Sequence, residues 1–178
     1  ATTKRGRQLL QRWRQDLRLT QREQGLLRGE LTLLDRQLQR LEHKVLRLAV
    51  FGRVGVGKSS LINALVGQRL LETDVAHGST RRQQAVTWPL KLDGLQRVEL
   101  IDTPGIDEID AAGRTRLATR VAMGVDLVLL VIDSDLTRCD RDALETLQAS
   151  GKPVRLVLNR SDRWPEEQLP ELLDSIRS

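Results

Sequence analysis

A glycine-rich stretch between two apolar runs constrains this 178-residue chain more than any other part of it. The sequence LAVFGRVGVGKSSLINALVG spans residues 48–67, and its first apolar run ends at Gly52. Gly55 and Gly57 follow within six residues, and then come Lys58, two serines and a second apolar run. Glycine weakens regular strands and helices, so this spacing indicates a backbone that takes conformations other residues avoid.

The stretch matches the pattern G-x-x-x-x-G-K-[ST] of a phosphate-binding loop, placed after a predicted strand and at the start of a predicted helix. Such a loop leaves backbone N–H groups free to surround a phosphate chain, and the helix adds its positive N-terminal end. Lys58 is predicted to bridge the β- and γ-phosphates, and Ser59 to offer its hydroxyl to Mg²⁺. The predicted nucleotide-binding residues of the loop are Gly52, Arg53, Val54, Gly55, Val56, Gly57, Lys58, Ser59 and Ser60.

Three further stretches bear on which nucleotide is bound. The sequence DTPG at residues 102–105 closes an apolar strand and has the form D-x-x-G. The sequence HGSTR at 77–81 lies between the loop helix and a predicted hairpin, where the threonine of a first switch segment belongs. The sequence NRSD at 159–162 ends another apolar strand and resembles the guanine-reading motif N-K-x-D. Together they favour GTP over ATP.

Taken in order and spacing, these motifs resemble the Era-like branch of the translation-factor-related GTPases. The continuation SLINAL at 60–65 and the string G-x-T-R at 78–81 are typical of that branch. The resemblance covers residues 46–178 and says nothing specific about the segment before them.

The resemblance implies a Mg²⁺-dependent GTPase that binds GTP and GDP. Thr80 would complete the Mg²⁺ shell begun by Ser59, and Asp102 would hold the ion through water. The backbone N–H of Gly105 would sense the γ-phosphate. The predicted catalytic residues are therefore Lys58, Thr80 and Gly105, and the predicted metal residues are Ser59, Thr80 and Asp102.

The resemblance also assigns the base to the NRSD stretch. Asp162 suits guanine chemically because one carboxylate can accept from two adjacent donors, the ring N–H and the exocyclic amine, which adenine does not present together. Asn159 would contact the base edge and tie its loop to the phosphate-binding strand. Arg160 stands where the family prefers lysine, and its guanidinium can lie on the base face, so guanine binding of altered strength is expected.

Two positions depart from the pattern in ways that bear on catalysis. Ile106 follows Gly105 where many small GTPases carry a water-orienting glutamine, so slow hydrolysis is predicted. Gly55 stands where some Era-like members place a potassium-binding asparagine, so potassium activation is not expected. Only 16 residues follow Asp162, whereas the family's last guanine motif falls further on, so the final strand and helix of the domain are expected to be absent.

The chain from about residue 46 has the pattern of a layered α/β domain. Apolar runs of strand length at 48–51, 98–101, 125–132 and 154–158 alternate with helix-like stretches at 59–66, 113–123, 140–149 and 166–176. Segments 86–92 and 95–101 predict a hairpin that turns at Asp93-Gly94. Near-continuous apolar strands indicate a sheet covered on both faces, mostly parallel with one antiparallel strand.

Residues 1–45 form a separate region of helical composition. Steps of three and four residues from Leu10 to Leu48 meet ten apolar side chains in twelve positions, the spacing of a coiled-coil seam, and the two polar positions are Thr20 and Gln24. One continuous helix and a helical hairpin both fit. Residues 1–47 carry 12 Lys or Arg against 5 Asp or Glu, whereas residues 48–178 carry a net charge of −2.

The partners of this basic region stay open at the level of sequence. A solvated coiled-coil face, self-association, a helical partner protein, an RNA or ribosome contact and an anionic membrane surface all fit its charge and seam. A single cysteine and the lack of an apolar run near about 18 residues predict a cytoplasmic protein, with peripheral membrane association as the alternative. Rival functions are an ATP-using P-loop protein and a nucleotide-bound scaffold with negligible hydrolysis.

Overall fold

The computed structural model describes residues 2–42, 44–72 and 83–177, which form an α/β domain preceded by helices. These ranges contain five strands and seven helices, with a 3-10 turn at Ser161–Arg163 before the last helix. In chain order they are α1 (Thr2–Asp16), α2 (Gln21–Leu26), α3 (Arg28–Glu42), β1 (Val45–Phe51), α4 (Lys58–Val66), β2 (Gln84–Trp88), β3 (Arg97–Asp102), α5 (Ala111–Gly124), β4 (Leu127–Ile132), α6 (Arg138–Ala149), β5 (Val154–Leu158) and α7 (Leu169–Arg177).

The five strands form one sheet with the order β2-β3-β1-β4-β5. β1 pairs in parallel with β3 and β4, and β4 pairs in parallel with β5. β2 is antiparallel to β3, and the backbone N–H of Leu95 bonds to the carbonyl of Leu92 at 3.0 Å in the turn between them. Gly94 takes a φ of +83° in that turn. The predicted mostly parallel sheet and its hairpin are confirmed, although both hairpin strands are shorter than predicted.

The sheet is covered on both faces, as its apolar strands require. On one face α5 and α6 pack through Val121 and Leu147 against Phe51 and Leu130. On the other face α4 packs through Ile62 against the apolar side chains of β1 and β3. Because both layers are filled, the open surface for a ligand lies at the carboxyl ends of the central strands.

The helical region folds back on itself. α1 ends at Asp16, and α2 begins after Thr20, whose hydroxyl accepts from the backbone N–H of Glu23 in a capping box. α1 then packs on α3, where Arg14 and Asp35 form an ion pair with a shortest distance of 2.9 Å. Of the two arrangements that fit the sequence, the structure therefore has the hairpin, and its turn lies at the first polar position of the seam.

The apolar side chains of the predicted seam are buried at one end and exposed to solvent at the other. Leu38 in α3 is buried, and the side-chain amide of Gln37 donates to the carbonyl of Met123 at the end of α5. At the other end of the seam Trp13 is 55% exposed and Leu27 is 42% exposed. Within residues 2–42, 44–72 and 83–177, the helices lack the length and hydrophobicity that a bilayer-spanning segment needs.

Candidate nucleotide-binding site

The phosphate loop connects the end of β1 to the start of α4, at the carboxyl edge of the sheet. Gly57 is the residue before α4 and takes a φ of +90°, which side chains of L-residues rarely allow. A Cβ at Gly57 would also collide with the side-chain amide of Asn159. The second glycine of the motif is thus required twice, by its own backbone and by the close approach of the predicted base-reading loop.

Lys58 lies inside the loop and is only 7% exposed. Its Nζ donates to the backbone carbonyl of Arg53 at 2.7 Å, which curls the side chain under the loop. Burial lowers the pKa of Lys58, and the nearby carboxylates of Asp102, Asp107 and Glu108 oppose that shift. A buried ammonium is costly without full compensation, so a bound phosphate chain would stabilise it.

The predicted metal residues Ser59 and Asp102 meet at the same place. The Ser59 hydroxyl donates to Asp102 Oδ2 at 2.6 Å, and Asp102 is buried at the end of β3. The next residue, Thr103, is fixed by a 2.9 Å hydrogen bond from its hydroxyl to the Val50 carbonyl. Hydroxyl and carboxylate oxygens are the ligands that Mg²⁺ prefers, so this pair fits the ion. In the described part of the chain no group of three or more His, Cys, Asp or Glu side chains is placed to hold a metal ion.

Thr80, the third predicted metal residue, lies outside the described residues, as does the whole predicted first-switch string at 77–81. Its assignment therefore stays a prediction.

The segment after Asp102 lies directly against the phosphate loop. A Cβ at Gly105 would collide with the side chain of Val54 and lie 2.9 Å from its backbone nitrogen. The backbone N–H of Ile106 bonds to the carbonyl of Gly52 at 3.4 Å. The Ile106 side chain is fully buried in the core that α5 covers, so it points away from the loop surface.

Asp107 contacts the loop in a way that the sequence did not reveal. Its Oδ1 accepts a hydrogen bond from the backbone N–H of Val54 at 2.7 Å. A backbone N–H of this loop is a donor that the predicted function assigns to phosphate. The sequence signal was only an acidic residue two positions after D-x-x-G, which is too weak to indicate a contact.

The predicted base-reading loop adjoins the phosphate loop. The Asn159 side-chain amide donates to the Val56 carbonyl at 2.8 Å and so ties its loop to the phosphate loop, whereas the sequence predicted a tie to the strand before that loop. Arg160 takes a left-handed φ of 56°, and its guanidinium donates to Asp133 Oδ2 at 3.2 Å. Asp162 is exposed in the 3-10 turn, where its carboxylate is accessible to a base.

Arg53 of the phosphate loop binds two carboxylates that the sequence did not single out, and one of them also binds Arg160 of the base-reading loop. Arg53 Nε lies 3.0 Å from Oδ2 of the fully buried Asp140 at the start of α6. Arg53 Nη2 lies 3.3 Å from Asp133, which also binds Arg160. The only sequence signal was the string T-x-x-D at residues 137–140, which indicates a capped helix start rather than a contact with Arg53.

This arrangement defines a class of protein. A glycine loop at the carboxyl edge of a parallel sheet, a buried lysine beneath it and a serine–aspartate pair suited to Mg²⁺ are the parts of a P-loop nucleotide-binding domain. A family model described as "50S ribosome-binding GTPase" matches residues 47–160. The chain belongs to this GTPase family.

Curated relatives match about two thirds of this chain. GTPase Der of Rhizobium johnstonii is 43% identical over 121 residues, which are 65% of this chain and 25% of the relative. GTPase Era of Synechocystis sp. is 37% identical over 132 residues, which are 70% of this chain and 40% of the relative. The chain thus spans less than half of the length of either relative.

Solved structures share the fold. Era in complex with MgGDPNP and nucleotides 1506–1542 of 16S ribosomal RNA superposes with a TM-score of 0.63 at 26% identity, over 75% of this chain and 47% of that one. Toc33 from Arabidopsis thaliana superposes with a TM-score of 0.56 at 22% identity, over 82% of this chain and 68% of that one. The Era match supports the Era-like resemblance, and the Toc33 match shows the fold alone.

Proposed function

We propose that the protein is a Mg²⁺-dependent switch that binds GTP, hydrolyses it slowly and binds the GDP product. The observation that carries the proposal is the meeting of three predicted elements at one loop: the buried Lys58, the Ser59–Asp102 pair and the Asn159 bond to the loop backbone. When bound, the nucleotide would supply the phosphate to be transferred, and Mg²⁺ would neutralise its charge. Lys58, Ser59 and the loop N–H groups would bind and orient the phosphates.

Guanine preference is the first property to test, because it separates this proposal from an ATP-using protein. Asp162 is exposed beside a loop that Asn159 holds against the phosphate loop, which supports a base site there. ATP should displace labelled GTP poorly from the wild-type chain, and Asp162→Asn should abolish the preference, since an amide offers a donor where guanine also donates. Asp93→Asn, at an exposed hairpin turn, is the matched control. Equal displacement of labelled GTP by ATP and by unlabelled GTP in the wild type would contradict the guanine preference. The protein would then be a P-loop protein that does not select the base.

The position of Ile106 supports slow hydrolysis. Its side chain is fully buried and cannot orient a water molecule at the loop surface. Phosphate release under saturating GTP and Mg²⁺ should therefore be slow, and replacing sodium by potassium should change it little because Gly55 carries no side-chain ligand. Rapid release by the isolated chain, or strong stimulation by potassium, would contradict this part of the proposal. Release at the level of a Lys58→Ala control would favour the scaffold alternative.

We further propose that the chain has two parts, residues 1–45 and 46–178, and that the first is an output or assembly element. α3 contacts both β1 and α5, and α5 follows the D-x-x-G segment directly. A change in that segment can therefore reach α3 through the Gln37 bond to Met123. The exposed Leu9 and Trp13 on α1 support helix-to-helix association, either with a second copy or with a helical partner.

Sedimentation in GDP and in a GTP analogue tests the assembly element. Leu9→Asp with Trp13→Asp should reduce self-association, because both side chains are exposed and apolar. Gln8→Asp with Gln15→Asp adds the same charge at exposed polar positions of α1 and should have little effect. A monomeric wild type in both nucleotides would contradict self-association.

The basic composition of residues 1–47 supports RNA or an anionic membrane as the other partners. The Era structure contains ribosomal RNA, which makes RNA the first of these to test. RNA filter binding and sedimentation with anionic vesicles, each in low and high salt, would identify the partner. We place the protein in the cytoplasm, with a peripheral membrane position if the vesicles bind.

A further inference from the structure

The proposed binding of phosphate by the loop does not explain the hydrogen bond between Asp107 and the loop. The Asp107 carboxylate is exposed, yet it accepts from the Val54 backbone N–H at 2.7 Å, a charge-assisted geometry. Its charge also acts on the buried Lys58, together with those of Asp102 and Glu108. An anionic side chain of the protein thus sits where the loop presents its donors to an anion.

The position of Asp107 along the chain indicates which phosphate its carboxylate would oppose. Asp107 lies two residues after Gly105, the residue that the family resemblance assigns to sensing the γ-phosphate. The steric contact of Gly105 with Val54 and the bond from Ile106 to Gly52 hold this segment on the loop. If Gly105 has that role, the Asp107 carboxylate would approach from the side of the third phosphate rather than from the side of the base.

We propose that Asp107 is a specificity-determining residue that stands in for the third phosphate, so that the resting protein favours GDP over GTP. The inference rests on the proposed function, because it concerns the same loop and the same nucleotides. One N–H cannot serve both a carboxylate and a phosphate, and two anions on one loop repel each other. A triphosphate must displace Asp107, whereas a diphosphate leaves the contact in place. When Asp107 leaves the loop, the segment that connects Gly105 to α5 would move away from the loop with it.

The test compares nucleotide affinities in the full chain with Mg²⁺. Dissociation constants for GDP and for a non-hydrolysable GTP analogue are measured by calorimetry in the wild type, Asp107→Ala, Asp107→Asn and Glu108→Gln. We expect Asp107→Ala to raise the affinity for the analogue relative to GDP about tenfold, the size of one charge-assisted hydrogen bond. Asp107→Asn should give a smaller rise, because it removes the charge and keeps an acceptor. Glu108→Gln removes a neighbouring charge and should change the ratio less than about twofold.

An unchanged affinity ratio in Asp107→Ala would overturn the inference while leaving nucleotide binding intact. A fall in hydrolysis with an unchanged ratio would also overturn it, since Asp107 would then act on the reaction rather than on specificity. Failure of the wild type to bind either nucleotide would instead refute the proposed function.

A second measurement needs no nucleotide. The amide proton of Val54 should exchange faster with solvent in Asp107→Ala than in the wild type, whereas Glu108→Gln should not alter it. Equal exchange in Asp107→Ala and wild type would show that the contact does not form in solution, and the inference would fall.

Discussion

Replacing Arg53 by methionine tests how the phosphate loop is held in place. The guanidinium lies 3.0 Å from Oδ2 and 3.3 Å from Oδ1 of Asp140. The Asp140 side chain is fully buried, whereas that of Arg53 is 20% exposed. Methionine fills a similar volume without charge, so the change removes the ion pairs with Asp140 and Asp133 while it keeps most of the packing.

The size of the expected loss of stability depends on the hydrogen bonds that Asp140 keeps after Arg53→Met. Removing one partner of a buried ion pair typically costs about 3–5 kcal/mol, because the other charge stays buried without compensation. Asp140 keeps two donors, the Thr137 backbone N–H at 3.0 Å and the Thr137 hydroxyl at 2.6 Å. We therefore expect a smaller loss, about 2–3 kcal/mol in the free energy of unfolding, or roughly 5–10 °C in Tm.

Urea unfolding of the nucleotide-free chain, followed by circular dichroism, measures this loss. Arg97→Met is the matched control, because Arg97 pairs with Glu99 at 2.8 Å and is 52% exposed. Its cost should not exceed about 1 kcal/mol. In an Asp140→Asn background, Arg53→Met should cost less than about 1 kcal/mol, since the buried charge is already gone. Equal costs for Arg53→Met and Arg97→Met would refute the reasoning.

Three further changes probe the same site. Lys58→Met should abolish nucleotide binding and raise the unfolding free energy at neutral pH. Because burial lowers the pKa of Lys58, this gain in stability should shrink as the pH rises toward 10.5, the ordinary pKa of a lysine. Nucleotide-binding titrations and urea unfolding measure the two effects. Lys91→Met, at an exposed position, is the control and should show neither effect. Gly105→Ala should lower stability by about 1–3 kcal/mol, whereas Gly124→Ala, with open space around it, should not; similar melting curves for both would contradict the contact with Val54. Asn159→Leu should weaken GDP binding about tenfold in calorimetry by freeing the Val56 carbonyl, and unchanged binding would argue against the tie.

The order of the motifs sufficed to predict the layered sheet and the phosphate loop. The apolar strands bury both faces and can only form a covered parallel sheet, and the carboxyl edge of such a sheet is where Gly52, Lys58 and Asp102 must meet. The same topology places Ser59 against Asp102 and Asn159 against the loop backbone in the structure. The predicted fold and family are confirmed, because they depend on residue type and position along a strand, which are properties of the sequence itself. The roles of the individual site residues stay predictions.

The tertiary structure alone decided the choice between hairpin and continuous helix, because Thr20 favours a helix start but can also lie inside a helix at a modest cost. It also decided the contacts of Arg53 with Asp140 and of Asp107 with Val54. These pairs lie 87 and 53 residues apart in the sequence, and no local pattern encodes them. A long-range contact between charged groups forms only where packing brings two surfaces together, so its existence depends on distances that spacing along the chain does not fix.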